Sequence, residues 1–171
     1  TGRTHMCENI GIQTAALSVG GPSGSAINEE YNGTSWSELT DLTTGRNSTM
    51  GSGTSTAGLV IGGSPTTALV ESWNGTAWTE VADINTARSV GGSAMQASNT
   101  SSLIFGGTPP VTAKTESYNG TSWTETGHTL NAARYGTGST GTQTAALCMA
   151  GNQVSPDHGA LVEEYNGSSW V

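Results

Sequence analysis

The chain has 171 residues, 25 of them glycine, with only 11% charged residues, a formal net charge of −8 and a pI near 4.6. With Lys+Arg at 5, it lacks the basic face that a nucleic-acid backbone or an anionic membrane requires. No apolar run approaches the roughly 18 residues of a membrane span, and no signal peptide is visible. The length suits one domain over residues 1–171 with a real core, and the composition describes a turn-rich, near-neutral surface. The sequence starts at Thr1 with no initiator Met, so a processed product or a fragment is expected.

Four units follow one another, at about 1–36, 37–78, 79–123 and 124–171. In the first, Arg3 precedes a strand of small residues, "THMCEN", and the second strand, "TAALSVGG", ends at a glycine pair. A loop "PSGSAIN" leads to a third strand carrying Glu29 and Tyr31, and "YNGTSW" turns the chain into a fourth strand with Trp36 and Glu38. The second unit repeats this as Arg46, "NSTMGSG", "AGLVIGG", loop "SPTTALV", Glu71, "WNGTAW" and Trp78. The third runs Arg88, "SVGGSAM", "SSLIFGG", loop "TPPVTAKT", Glu116, "YNGTSW" and Trp123. The fourth runs Arg134, "YGTGST", "TAALCMAG", the longer loop "NQVSPDHGALV", Glu163, "YNGSSW" and Trp170.

The closing tryptophans are 42, 45 and 47 residues apart, and every arginine of the chain occupies one equivalent position. In each second strand a leucine (Leu17, Leu59, Leu103, Leu147) and the residue before the small pair (Val19, Ile61, Phe105, Met149) alternate. That is a period of two, and its partly apolar opposite face predicts a strand packed on both sides. No segment has a helical period, so the chain is expected to be all-β. Asn-Gly between aromatic-flanked strands predicts a tight type I′ hairpin, in which both central residues take φ > 0. Its aromatics are expected to meet across strands or between units. The same hairpins spell Asn-x-Ser/Thr at Asn32, Asn74, Asn119 and Asn166, with further matches at Asn47 and Asn99. Turn chemistry accounts for the hairpin four without a glycan.

Units of about 45 residues with four strands, a glycine pair and an aromatic followed by Trp resemble kelch repeats, the blades of a β-propeller. The resemblance spans all four units. "ESWNGTAWTEVADINTAR" and "ESYNGTSWTETGHTLNAAR" are more similar still to kelch-like arrays of uncharacterised marine phage and bacterial proteins. With only four residues between aromatic and Trp, the hairpin is shorter than that family implies. The Asp-box of sialidases fits less well, because its Asp is Asn here. The resemblance implies a propeller of four four-stranded blades, either a closed ring or part of a larger one completed by more chain or by a second copy. Gly51, Gly92, Ser93, Gly138 and Ser139 are expected to line a narrow axis.

The phased Arg3, Arg46, Arg88 and Arg134 and Glu29, Glu71, Glu116 and Glu163 suggest ion pairs that act as conformational locks. A ring of arginines gripping an anion is the competing use. His5, His128 and His158 sit in unrelated contexts, Cys7 and Cys148 have no metal spacing, and neither a phosphate loop nor a nucleophile elbow appears. No catalytic residue, metal or cofactor is expected. The two cysteines could be free thiols or one disulfide. Variation concentrates in the loop after the small pair, where Pro22, Ser23, Pro65, Thr108, Pro109, Asp157 and His158 are the candidate ligand-binding residues. The reading is a non-catalytic adhesion module, secreted or on a virion appendage such as a phage tail fibre. It would attach to a host by recognising a glycan or cell-surface receptor. The alternatives are a structural or protein-docking propeller, or a glycan-active enzyme on the same scaffold.

Overall fold

A computed structural model describes residues 10–153 and 160–171. The described residues form an all-β, four-bladed propeller of antiparallel meanders, with no α-helix and one short 3₁₀ turn at Pro22–Gly24. Blade 1 comprises Ile10–Ile12, Ala15–Val19, Asn28–Tyr31 and Trp36–Glu38. Blade 2 comprises Met50–Thr54, Ala57–Ile61, Val70–Trp73 and Trp78–Val81. In blade 3 the strands are Gly92–Ser93, Ser102–Phe105, Thr115–Tyr118 and Trp123–Glu125. Blade 4 has Gly138–Thr142, Ala145–Met149 and Val162–Tyr165, and its fourth place is taken by Trp170 bridged to Tyr165.

The period of two in the second strands becomes two opposite blade faces. Leu17 and Val19 pack with Val60, Trp73 and Trp78 of blade 2. Leu59 and Ile61 pack with Ile104, Tyr118 and Trp123 of blade 3, and Leu103 and Phe105 with Cys148, Tyr165 and Trp170 of blade 4. Each core is therefore an inter-blade joint with an aromatic pair on one side, faced by aliphatic residues in the first two joints and by Leu103 and Phe105 in the third. Leu42, Ile84 and Leu130, from the connections between blades, complete the three joints. Removal of this apolar surface from water is the main stabilising term.

The axis is narrow and filled. Ser93 donates its hydroxyl to the Gly51 carbonyl at 2.6 Å and its N–H to Ser139 Oγ at 3.0 Å. Gly51, Gly92, Ser93 and Ser139 are buried, whereas Gly138 is exposed. A Cβ on Gly92 would lie 2.4 Å from the Phe105 ring, so no larger residue fits there. At the rim opposite the variable loops, residues 94–101 of blade 3 reach both neighbours. Met95 O accepts from Gly53 N at 3.2 Å, and Gln96 N donates to Gly141 O at 2.9 Å.

The hairpins correct the expected turn type. Only the glycine has positive φ, 92° at Gly33 and 91° at Gly75, so a two-residue type I′ turn is not formed. The loop has four residues, with Asn32 N bonded to Ser35 O at 3.2 Å. Asn32 Oδ1 accepts from Thr34 N and Ser35 N, both at 3.0 Å, and Asn74, Asn119 and Asn166 repeat the arrangement. Asparagine is there to cap the loop amides from its side chain.

Candidate functional site

The variable loops are stitched along one rim by backbone hydrogen bonds. The chain leaving each blade crosses to the next, and its arginine carbonyl accepts from the second glycine of the blade it left. These bonds are Gly21 N to Arg46 O at 3.3 Å, Gly63 N to Arg88 O at 3.0 Å and Gly107 N to Arg134 O at 2.8 Å. The next residue then pairs with the loop of its own blade, Asn47 with Ser64 and Ser89 with Thr108. In blade 4 the pairing lengthens to Arg134–Tyr135 against Asn152–Gln153. The loops of successive blades are thus joined through two consecutive residues each, an arginine and the residue after it. Of the residues after the arginines, Ser89 and Tyr135 were not singled out from sequence and Asn47 only as an Asn-x-Ser/Thr match, although each directly follows a phased arginine.

The crossing also explains the small pair. A Cβ on Gly20, Gly62 or Gly106 would sit 2.3, 2.3 or 2.5 Å from the carbonyl oxygen of Arg46, Arg88 or Arg134. Among the described residues no connection crosses blade 4, and there the position is Ala150, in the same left-handed conformation at φ 54°.

Among the described residues, three buried clamps lie beneath the rim. Glu71 receives Arg46 Nη1 at 2.7 Å, Thr43 N at 2.8 Å and Thr44 N at 3.3 Å. Glu116 receives Arg88 Nη1 at 2.8 Å, Asn85 N at 2.7 Å, Asn85 Nδ2 at 2.8 Å and Thr86 N at 3.3 Å. Glu163 forms an ion pair with Arg134 Nη2 at 2.8 Å and accepts hydrogen bonds from Asn131 N and Nδ2 at 2.7 and 2.8 Å. Each carboxylate belongs to one blade and holds the connection arriving from the blade before. Burial lowers the Arg88 pKa, and the Glu116 carboxylate opposes that shift. Arg3 lies outside the described residues. Glu29 stands at the equivalent place in the third strand of blade 1.

Of the candidate ligand residues, Pro22, Ser23, Pro65 and Pro109 are exposed on the rim, with Ser23 at φ 59°. Thr108 is half-buried, and its N and O are both committed to Ser89, at 3.0 and 2.8 Å. Asp157 and His158 lie outside the described residues. The rim offers hydroxyls, amides and proline rings. The chain's single lysine, Lys114, pairs across exposed surface with Glu125 at 2.8 Å and reaches Thr86 Oγ1 at 3.4 Å. Among the described residues no group of three His, Cys, Asp or Glu could hold a metal ion.

Cys7 lies outside the described residues, and Cys148 is a free, buried thiol. Burial raises its pKa, only partly offset by the hydrogen bond from Arg134 Nε at 3.2 Å, so it is a poor nucleophile. Burial also raises the phenols of Tyr118 and Tyr165. The folded chain keeps these protons to higher pH than the unfolded chain does, so stability is full below the ordinary thiol pKa and falls as pH rises through the raised values. Thermal melting should be flat from pH 7 to about pH 8.5 and drop by several degrees towards pH 11. Cys148→Ala should delay the onset; a melting point unchanged to pH 11 would show that these groups are not shielded.

The described residues thus define a β-propeller whose rim of variable loops is held by backbone bonds over buried ion-pair clamps. No known family model matches the chain, and no curated protein matches it.

Proposed function

We propose that the chain is a kelch-like propeller that acts as a non-catalytic binding module outside the cytosol, secreted or on a virion appendage, with a glycan or cell-surface receptor as its target. The observation that carries this reading is the rim. Loops that differ in every blade are linked to one another through the consecutive residues Arg46–Asn47, Arg88–Ser89 and Arg134–Tyr135, so variable side chains share one rigid edge, as recognition loops do on other scaffolds. Its exposed groups are hydroxyls, amides and prolines, which suit hydrogen bonding to sugar hydroxyls more than binding of a charged ligand. The kelch-like reading rests on the phased glycine pairs, aromatics and tryptophans.

The test is binding of the purified protein to a broad panel of bacterial and animal glycans, beside a variant in which residues 154–160 are replaced by a Gly-Ser linker. The replacement stops short of Val162–Tyr165, because Glu163 holds the Arg134 connection. Saturable binding that weakens at least about tenfold in the variant, a change of about 1.4 kcal/mol, is the expected result. No binding across the panel would sink the glycan reading and leave the propeller as a protein-docking or structural module.

A further inference from the structure

Every joint within the fold is built alike. The apolar face of one blade, carrying Leu17 and Val19, Leu59 and Ile61, or Leu103 and Phe105, covers the aromatic pair of the next. Among the described residues, blades 1 and 4 hold the two unmatched halves of this joint. Blade 1 presents Tyr31 and Trp36 with ring centroids 5.2 Å apart, and Trp36 is 54% exposed where Trp78, Trp123 and Trp170 are each 5%. Blade 4 presents half-buried Leu147 and Met149, with Val162 61% and Leu161 46% exposed beside them. Among the described residues no hydrophobic cluster joins blade 4 to blade 1.

We propose that these two faces dock a second copy of the chain, with blade 4 of one copy seated on blade 1 of the next. The occupant follows from continuity with the internal joints. Three faces of the Leu147–Met149 type each take an aromatic pair, and among the described residues the unburied aromatic pair is that of blade 1. The contact is head-to-tail, so each molecule carries both halves; two such contacts close a ring of two chains, and a contact that does not close extends into longer open chains.

Two features set its strength. Ala150 places a methyl where a crossing carbonyl lies above Gly20, Gly62 and Gly106, so the docked blade cannot bring its connection as close as in the internal joints. Glu164, opposite Leu147, and Glu38, opposite Glu29, are exposed on the two faces. Acidic groups on both sides of the contact make association tighter as salt screens them.

Sedimentation velocity over a concentration series tests this, with Trp36→Glu and Val162→Glu as variants that each spoil one face at an exposed position. The expected result is concentration-dependent association that tightens with salt and weakens at least about thirtyfold in either variant alone. An equimolar mixture of the two variants should form a one-to-one complex, because Trp36→Glu keeps the blade 4 face and Val162→Glu keeps the blade 1 face. Acrylamide quenching of Trp36 should fall on association. A monomer at all concentrations overturns the proposal: with Trp36 quenchable the faces do not self-associate, and with Trp36 shielded they meet within one chain. Association that survives both substitutions overturns it too, by placing the contact elsewhere.

Discussion

Replacing Glu116 with alanine is expected to cost about 3–5 kcal/mol, a large share of the stability of a domain this size. The substitution leaves the Arg88 guanidinium fully buried without its counter-ion, and Arg88 Nε and Nη2 already lack hydrogen-bond partners. It also removes the acceptor of Asn85 N, Asn85 Nδ2 and Thr86 N. Chemical denaturation of Glu116→Ala, Arg88→Met and the double variant would give the cycle. The double variant should be less destabilised than the sum of the singles by roughly 1–3 kcal/mol, because the costly object is the unpaired charge more than the missing pair. Glu71→Ala should be milder, since Glu71 holds backbone amides and an arginine but no asparagine side chain. A loss below about 1 kcal/mol for Glu116→Ala, the range of an exposed pair, would mean that the clamp is not held dry.

Gly62→Ala is expected to be comparably damaging, at about 3 kcal/mol or more. A left-handed alanine costs about 1–2 kcal/mol by itself, and overlap in a packed interior adds a similar amount. The new methyl would lie 2.3 Å from Arg88 O, so the crossing chain must move, and the adjoining bond from Gly63 N to Arg88 O would go with it. Ala150→Gly is the control in the opposite direction. It relieves a φ of 54° at a place where no carbonyl crosses among the described residues, and should leave stability unchanged or raise it by up to about 1 kcal/mol. Thermal melting of the two variants separates backbone strain from collision; equal effects of small size would remove the steric account.

The strands were legible because alternation along Leu17 and Val19, and its three repeats, is imposed by burial on both blade faces, which leaves a local signal. The reason for the glycine pair was not legible. Gly20 yields to the carbonyl of Arg46, and that contact exists only once the chain has crossed to the next blade. The Asn-Gly hairpin was placed correctly and typed wrongly, because its asparagine caps amides across a four-residue loop instead of adopting positive φ. Of the candidate binding residues, Pro22, Ser23, Pro65 and Pro109 stand out because loop variability points at an exposed rim. Thr108 is held by Ser89 through its main chain, which no side-chain pattern reports.

The clamps also order events during synthesis. Thr43 leaves the ribosome 28 residues before Glu71, the carboxylate that will hold it, and Asn85 precedes Glu116 by 31. Until the third strand of the following blade has emerged, the segment that ends each blade has nothing to bind its amides. A nascent blade can pair its strands but cannot fasten its exit. Each repeat is therefore finished by its successor, and folding should advance along the chain in steps that lag translation by most of a blade.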